Sequence, residues 1–183
     1  MKGIIVYKGK YGTTEQYAQW MSEELNFPYL SATELDEGDL SYFDFIIIGS
    51  SVYNGKLQIS QWLQTNLKAL RGKKIFFFQV AGTSPLEKEK LNTYFRLSVP
   101  EEIREQCEIY YYPGKMLFNE LSWKDRFMLR MGARLTKDLV TKKSMLTDYN
   151  LVKKENISDL VSAVKKFCSV KNKSEHPVQS RVI

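Results

Sequence analysis

Four short apolar runs, set apart by stretches of helical periodicity, constrain this chain more than any other feature. They are Gly3 to Tyr7, Phe45 to Gly49 (FIIIG), Lys74 to Val80 (KIFFFQV) and Glu108 to Tyr112 (EIYYY). Each is rich in β-branched or aromatic residues and bounded by turn residues. Continuous apolar runs, unlike alternating ones, belong to strands covered on both faces, as in a parallel sheet. Phe27 to Leu30 is a fifth, weaker candidate. Between the runs, Tyr17, Trp20, Met21 and Leu25 follow helical spacing, as do Ile59, Leu63, Leu67 and Leu70. Leu86, Tyr94 and Leu97 do so more loosely, and Ile157, Leu160, Val161, Val164 and Phe167 form the clearest stripe. This β-α-β-α alternation specifies an α/β, doubly wound open sheet of five parallel strands. The segment from about 114 to 144 breaks the rhythm and reads as an insertion before the last helix, itself helical from Ser122 to Thr141.

The 183 residues fit one domain, here placed at 1–170, followed by a polar tail over 171–183. No run of about 18 apolar residues exists, so no transmembrane helix is expected. The first strand begins at Gly3, leaving no room for a signal peptide and implying a cytoplasmic location. Cys107 and Cys168 lack metal spacing and read as reduced, packed thiols; the single histidine, His176, lies in the tail. Zinc chemistry and Ser-His or Cys-His catalysis therefore lack raw material, and no metal site is expected. A net charge of +6 favours an anionic partner. Nucleic acid is set aside because no DNA- or RNA-binding motif accompanies the charge.

The first strand feeds Lys8-Gly9-Lys10-Tyr11-Gly12-Thr13-Thr14 and then a helix. A helix N-terminus offers unpaired N–H groups and a positive dipole end, both suited to a phosphate. The glycines allow close backbone approach, and the threonine hydroxyls add donors. The loop is neither a Walker A sequence nor the dinucleotide fingerprint, which disfavours NAD. Taken alone, it is equally an ordinary strand–helix turn with Thr as N-cap. Its companions change the balance. Ser50-Ser51-Val52-Tyr53-Asn54-Gly55 follows the next long run, and Ala81-Gly82-Thr83 follows the one after. In an open α/β sheet these loops share the carboxyl edge where ligands bind. Together they suit a phosphate, a ribityl chain and a flat ring.

At this point the chain resembles the flavodoxins, and within them the group that includes menaquinone-dependent protoporphyrinogen IX dehydrogenases. The resemblance spans about residues 2–167 and rests on the Gly-Thr-Thr loop, on IIIGSSVYNGK and on SWKDRFMLRM in the insertion. It implies a flavodoxin-like sheet of order 2-1-3-4-5 and FMN as cofactor. The phosphate would lie on residues 9–14, and the ring edge near Ser51 to Gly55 and Ala81 to Thr83. Two departures stand out. Lys8, Gly9 and Lys10 replace the usual early hydroxyls, and no aromatic follows Gly82 closely, leaving Tyr53 and Tyr11 as stacking candidates.

The insertion is basic: Lys115 to Lys143 carries eight Lys or Arg against three acids. On a helix, Trp123, Phe127, Met131, Leu135 and Leu139 form one row, and Arg126, Arg130 and Arg134 another, displaced by about 100°. Such a helix suits an anionic membrane surface, placing the protein peripherally at a membrane, or an anionic porphyrin. Alternatively the apolar row packs on the domain's own sheet or on a second subunit, making a homodimer. The resemblance implies an FMN-dependent oxidoreductase passing electrons from a substrate to a quinone. No side chain stands out as general acid or base, so the catalytic residues are unassigned and the cofactor would carry the chemistry. The alternatives are a flavodoxin-like electron carrier between redox partners, which the basic charge disfavours, and a cofactor-free interaction domain.

Overall fold

The computed structural model describes residues 1–35 and 38–175; the tail from 176, His176 included, lies outside the described residues. Six strands, β1 (Gly3–Lys8), β2 (Tyr29–Ser31), β3 (Phe45–Tyr53), β4 (Lys56–Leu57), β5 (Lys74–Ala81) and β6 (Cys107–Pro113), form the main sheet. Its order is β2-β1-β3-β5-β6, and every pair along that path is parallel. The extra strand β4 is a stub turned back on β3. With that stub set aside, the order is the doubly wound 2-1-3-4-5 expected. The weak run at Phe27 to Leu30 does supply the edge strand, shifted to Tyr29–Ser31 and paired with Ile5, Val6 and Tyr7.

Alternation along the buried strands divides the core in two. Ile4, Val6, Ile46, Ile48, Ile75 and Phe77 face a layer containing α2 (Ser60–Thr65), α3 (Leu67–Leu70), α4 (Lys88–Ser98) and α5 (Glu101–Arg104). Ile5, Phe45, Ile47, Phe76 and Phe78 face α1 (Thr13–Leu25) and α8 (Ser158–Glu175). The expected stripes on α1 and α8 are core. The one on residues 59–70 is also inward but broken into two helices at Asn66. Leu86 is exposed because α4 starts after it, and Leu97 also faces out; Leu91 and Phe95 are the buried pair of that helix. Helix α8 runs on to Glu175, so residues 171–175, read as tail, are helical.

Gly49, taken from the sequence as a strand-ending turn residue, lies inside β3, between Tyr7 and Phe78 on the neighbouring strands. The Phe78 ring occupies the space above it, and a Cβ there would fall 2.0 Å from the ring. Gly49→Ala is expected to destabilise the domain by roughly 1–3 kcal/mol through overpacking. Thermal unfolding should show this as a midpoint lower by roughly 2–10 °C. An unchanged midpoint would mean the ring has room to shift.

The insertion is a closed excursion with a pinned neck. Strand β7 (Lys115–Met116) pairs antiparallel with β8 (Tyr149–Asn150), and the Gly114 amide donates to Ala81 O at 2.9 Å. The excursion therefore extends to Asn150, past the expected limit of 144. It carries α6 (Trp123–Leu135) and α7 (Leu139–Ser144), where the sequence suggested one helix over 122–141. Helix α6 stops where Thr136 takes extended backbone, its hydroxyl donating back to Gly132 O at 2.8 Å.

Candidate functional site

The carboxyl ends of β1, β3 and β5 open into a cleft of about 270 Å³ roofed by the insertion. Lys10, Tyr11, Thr13 and Thr14 line it from the first loop, Ser51 to Asn54 from the second, and Ala81 and Gly82 from the third. The insertion and its neck add Gly114, Lys115, Met116, Leu121, Asp125, Met128, Leu129 and Tyr149. Three loops distant in sequence thus meet at one point of the sheet edge, beside the switch between β1 and β3.

The first loop has the geometry of an anion site. Gly12 caps α1 in the left-handed region (φ 74°), and no side chain caps that helix N-terminus. Thr13 and Thr14 are buried, yet neither hydroxyl has a hydrogen-bond partner. Buried polar groups are rarely left unpaired, so two orphaned hydroxyls beside a helix N-terminus ask for a ligand with acceptors. Gly9 serves this arrangement indirectly: a Cβ there would sit 2.6 Å from Thr14 Oγ1.

Of the remaining expected residues, Lys8, Ser50, Gly55 and Thr83 lie outside the cleft lining. Lys8 ends β1, in register with Ser50. Ser50 is buried and its hydroxyl accepts from the Ile59 amide at 3.2 Å. Asn54 (φ 51°) and Gly55 (φ 74°) form the tight turn between β3 and β4. Asn-Gly is a hairpin signal, and it turns the chain back on β3 where the sequence analysis expects a loop. Thr83 stands half-buried beyond the cleft lining.

The electrostatic centre is Asp125, which sequence reasoning missed. It is almost fully buried although it belongs to a basic helix. Lys10 Nζ donates to its Oδ2 at 2.7 Å, Tyr53 OH to its Oδ1 at 2.6 Å, and Tyr11 OH to Oδ2. Tyr11 OH also accepts from the Ser122 amide at 3.3 Å. Burial pushes the Asp125 carboxyl up, but the three hydrogen bonds and the Lys10 charge outweigh it and hold its pKa down to about 2. The hydrogen bond to Asp125 raises Lys10 above the ordinary lysine range, against an opposing desolvation effect. Lys10 also lies 4.3 Å from the Tyr53 ring centroid. Lys10 and Tyr53 thus both line the cleft while holding the Asp125 carboxylate, Lys10 through its ammonium and Tyr53 through its hydroxyl.

A signal for Asp125 was present but pointed elsewhere. Ser122-Trp123-Lys124-Asp125 has capping-box spacing, and Ser122 Oγ does accept from the Asp125 amide at 3.3 Å. In that motif the acid would return to the Ser122 amide; here Tyr11 takes that role and frees the carboxylate for the cleft. The aromatic missing after Gly82 comes from afar: Tyr149 puts its hydroxyl 2.3 Å from where a Gly82 Cβ would stand. Cys107 and Cys168 are both free and half-buried, and burial pushes the Cys107 thiol up to about 12.

The sheet order and the cleft at its carboxyl edge define a doubly wound α/β protein whose first loop ends at an uncapped helix N-terminus. Residues 4–144 match the family model for the flavodoxin domain, and the chain belongs to that family. It is similar to the solved structure of a flavodoxin from the domain Archaea, at 18% identity over 80% of this chain and 94% of that one, with a TM-score of 0.44. It is also similar to oxidised flavodoxin 2 from Bacillus cereus (16% identity, 79% and 92% covered, TM-score 0.41). A third is a flavoprotein in complex with FMN from Lactobacillus acidophilus NCFM (16% identity, 61% and 91% covered, TM-score 0.44). No curated protein sequence matches the chain.

Proposed function

We propose that the cleft binds FMN and that the protein uses it as an oxidoreductase. The observation that carries this is the pair of buried, unpartnered hydroxyls of Thr13 and Thr14 at an uncapped helix N-terminus. The phosphate fits there, with Ser51, Asn54 and Ala81 along the rest of the floor. Membership of the flavodoxin domain family supports the same cofactor. Bound FMN would supply hydride and single-electron transfer; the chain's own residues bind it, orient it and exclude water.

The finer reading is a substrate oxidoreductase of the protoporphyrinogen dehydrogenase type, passing electrons to a quinone. It is favoured over a plain electron shuttle by the roof. Met116, Leu121, Met128 and Leu129 give the cleft an apolar wall over the β1, β3 and β5 loops, with Tyr149 beside them. A shuttle works with an exposed ring edge, whereas a roofed apolar chamber suits a flat substrate ring. The SWKDRFMLRM resemblance lies in that same roof.

The test has two stages. Reconstitution with FMN should give a yellow protein with a Kd below about 10 μM, equivalent to about −7 kcal/mol. Weaker binding would remove the cofactor reading. Turnover of protoporphyrinogen with a menaquinone analogue should then follow, and flavin binding without turnover would favour the shuttle.

A further inference from the structure

Helix α6 has two faces, and only one of them is used by the domain. Asp125, Leu129 and Ala133 point inward, where Asp125 and Ala133 are buried and Leu129 lines the cleft. The row Trp123, Phe127, Met131 and Leu135 lies on the far side of the helix, since four-residue steps keep it about half a turn from the inward row. These side chains are 69%, 62%, 38% and 78% exposed, and Leu139 beyond the helix end is 77% exposed. The alternative that this row packs on the domain's own sheet is thereby excluded. Four large apolar side chains on one exposed face form a patch of the kind that marks an interaction surface.

The charges around the patch identify the partner. Arg126, Arg130 and Arg134 follow one flank, and Lys124 projects from the face itself, its Nζ 5.7 Å from the Trp123 ring centroid. The helix has a single acid, Asp125, and it faces inward. The outer face is thus apolar and basic with no negative group, on a chain of net charge +6. A second copy of this face would bring arginine rows together with no acid to pair them. A bilayer with anionic headgroups satisfies both features, since apolar side chains enter the boundary region while Lys and Arg stay at headgroup level. No helix among the described residues is long and apolar enough to cross a membrane, so the contact is with its surface.

We propose that the outer face of α6 docks the protein on anionic lipid, with Trp123, Phe127, Met131 and Leu135 entering the interface and Arg126, Arg130 and Arg134 reading the headgroups. The inference stands apart from the cofactor reading, because lipid binding is measured with or without flavin present. The same helix roofs the cleft from its other face, so docking would bring the cleft beside the lipid, within reach of a lipid-soluble electron acceptor.

The experiment is sedimentation with vesicles of phosphatidylcholine containing phosphatidylglycerol, at low and high salt. The wild type should co-sediment at low salt and be released near 1 M, where the Debye length falls to about 3 Å. The tryptophan emission should shift to the blue on binding, and the shift should vanish in Trp123→Phe. Trp62 is buried and Trp20 half-buried, which leaves Trp123 as the reporter. Replacing Arg126, Arg130 and Arg134 together by Gln should lower vesicle partitioning on the order of 100-fold, with the unfolding midpoint unchanged. The proposal is overturned if the wild type never binds vesicles, or if the triple variant binds as well as the wild type. It is also overturned if the protein is a dimer that Phe127→Ser dissociates and that ignores vesicles, since the face then belongs to a second copy.

Discussion

Gly12→Val is expected to abolish FMN binding while the domain still folds. Gly12 holds φ at 74° as it caps α1, and nothing lies within 4 Å of where its Cβ would be. The substitution therefore meets no clash inside the protein, and its cost is conformational. An L-residue in the left-handed region costs roughly 1–2 kcal/mol, and a β-branched one is the least tolerant of it. The backbone relieves that strain by leaving the left-handed region, which rotates the first N–H groups of α1 and the hydroxyls of Thr13 and Thr14 away from the anion site. A loss of this size should lower the unfolding midpoint by only roughly 2–8 °C, whereas FMN affinity should fall at least on the order of 100-fold, two factors of 1.4 kcal/mol. Gly12→Ala separates strain from bulk and should give an intermediate affinity. Wild-type affinity in the valine variant would place the phosphate elsewhere.

Asp125→Asn is expected to free the insertion from the flavodoxin core. The carboxylate joins three segments: the first loop through Lys10 and Tyr11, the β3–β4 hairpin through Tyr53, and α6 itself. Hydrogen bonds to a charged group contribute roughly 1.5–3 kcal/mol, and removing the charge also strips Lys10 of its counter-ion. A loss of about 2 kcal/mol raises the open fraction of the insertion roughly 30-fold. Amide exchange across 115–135 should accelerate accordingly, and FMN should dissociate faster, while exchange in β1, β3 and β5 stays slow. Uniform loss of protection across the sheet would show that Asp125 is a global stability residue and not a local latch.

The pH behaviour of the latch follows from the same contacts. The depressed Asp125 pKa contributes stability that is complete above the ordinary carboxylate value near 4 and is lost as pH falls towards about 2. The raised Lys10 pKa contributes below the ordinary lysine value and is lost only as pH rises through its higher folded value. The insertion should thus remain closed from about pH 4 to pH 10. Opening at pH 6, read by the same exchange, would mean a different group holds it.

Local patterning in the chain determined the layered part of this protein. Runs such as FIIIG and KIFFFQV can be satisfied only between two covering layers, and stripes such as Ile157, Leu160, Val161 and Val164 name the helices that cover them. Because a doubly wound sheet brings its strand ends to one edge, the three loops of the cleft were also legible, with Thr13, Thr14, Ser51 and Ala81 among them. What lay beyond reach depended on contacts between segments far apart in the chain. Asp125 carries a local capping signature, and nothing within a few residues reveals that Lys10, Tyr11 and Tyr53 will compete for its carboxylate. Tyr149 fills the space above Gly82 from 67 positions away, and Gly49 looks like a turn residue until Phe78 is placed over it. The direction of the α6 apolar row is of the same kind. Periodicity establishes that a helix has an apolar side, but only the docking of Asp125 and Ala133 onto the core turns that side outward, because burying the one carboxylate leaves the helix a single orientation.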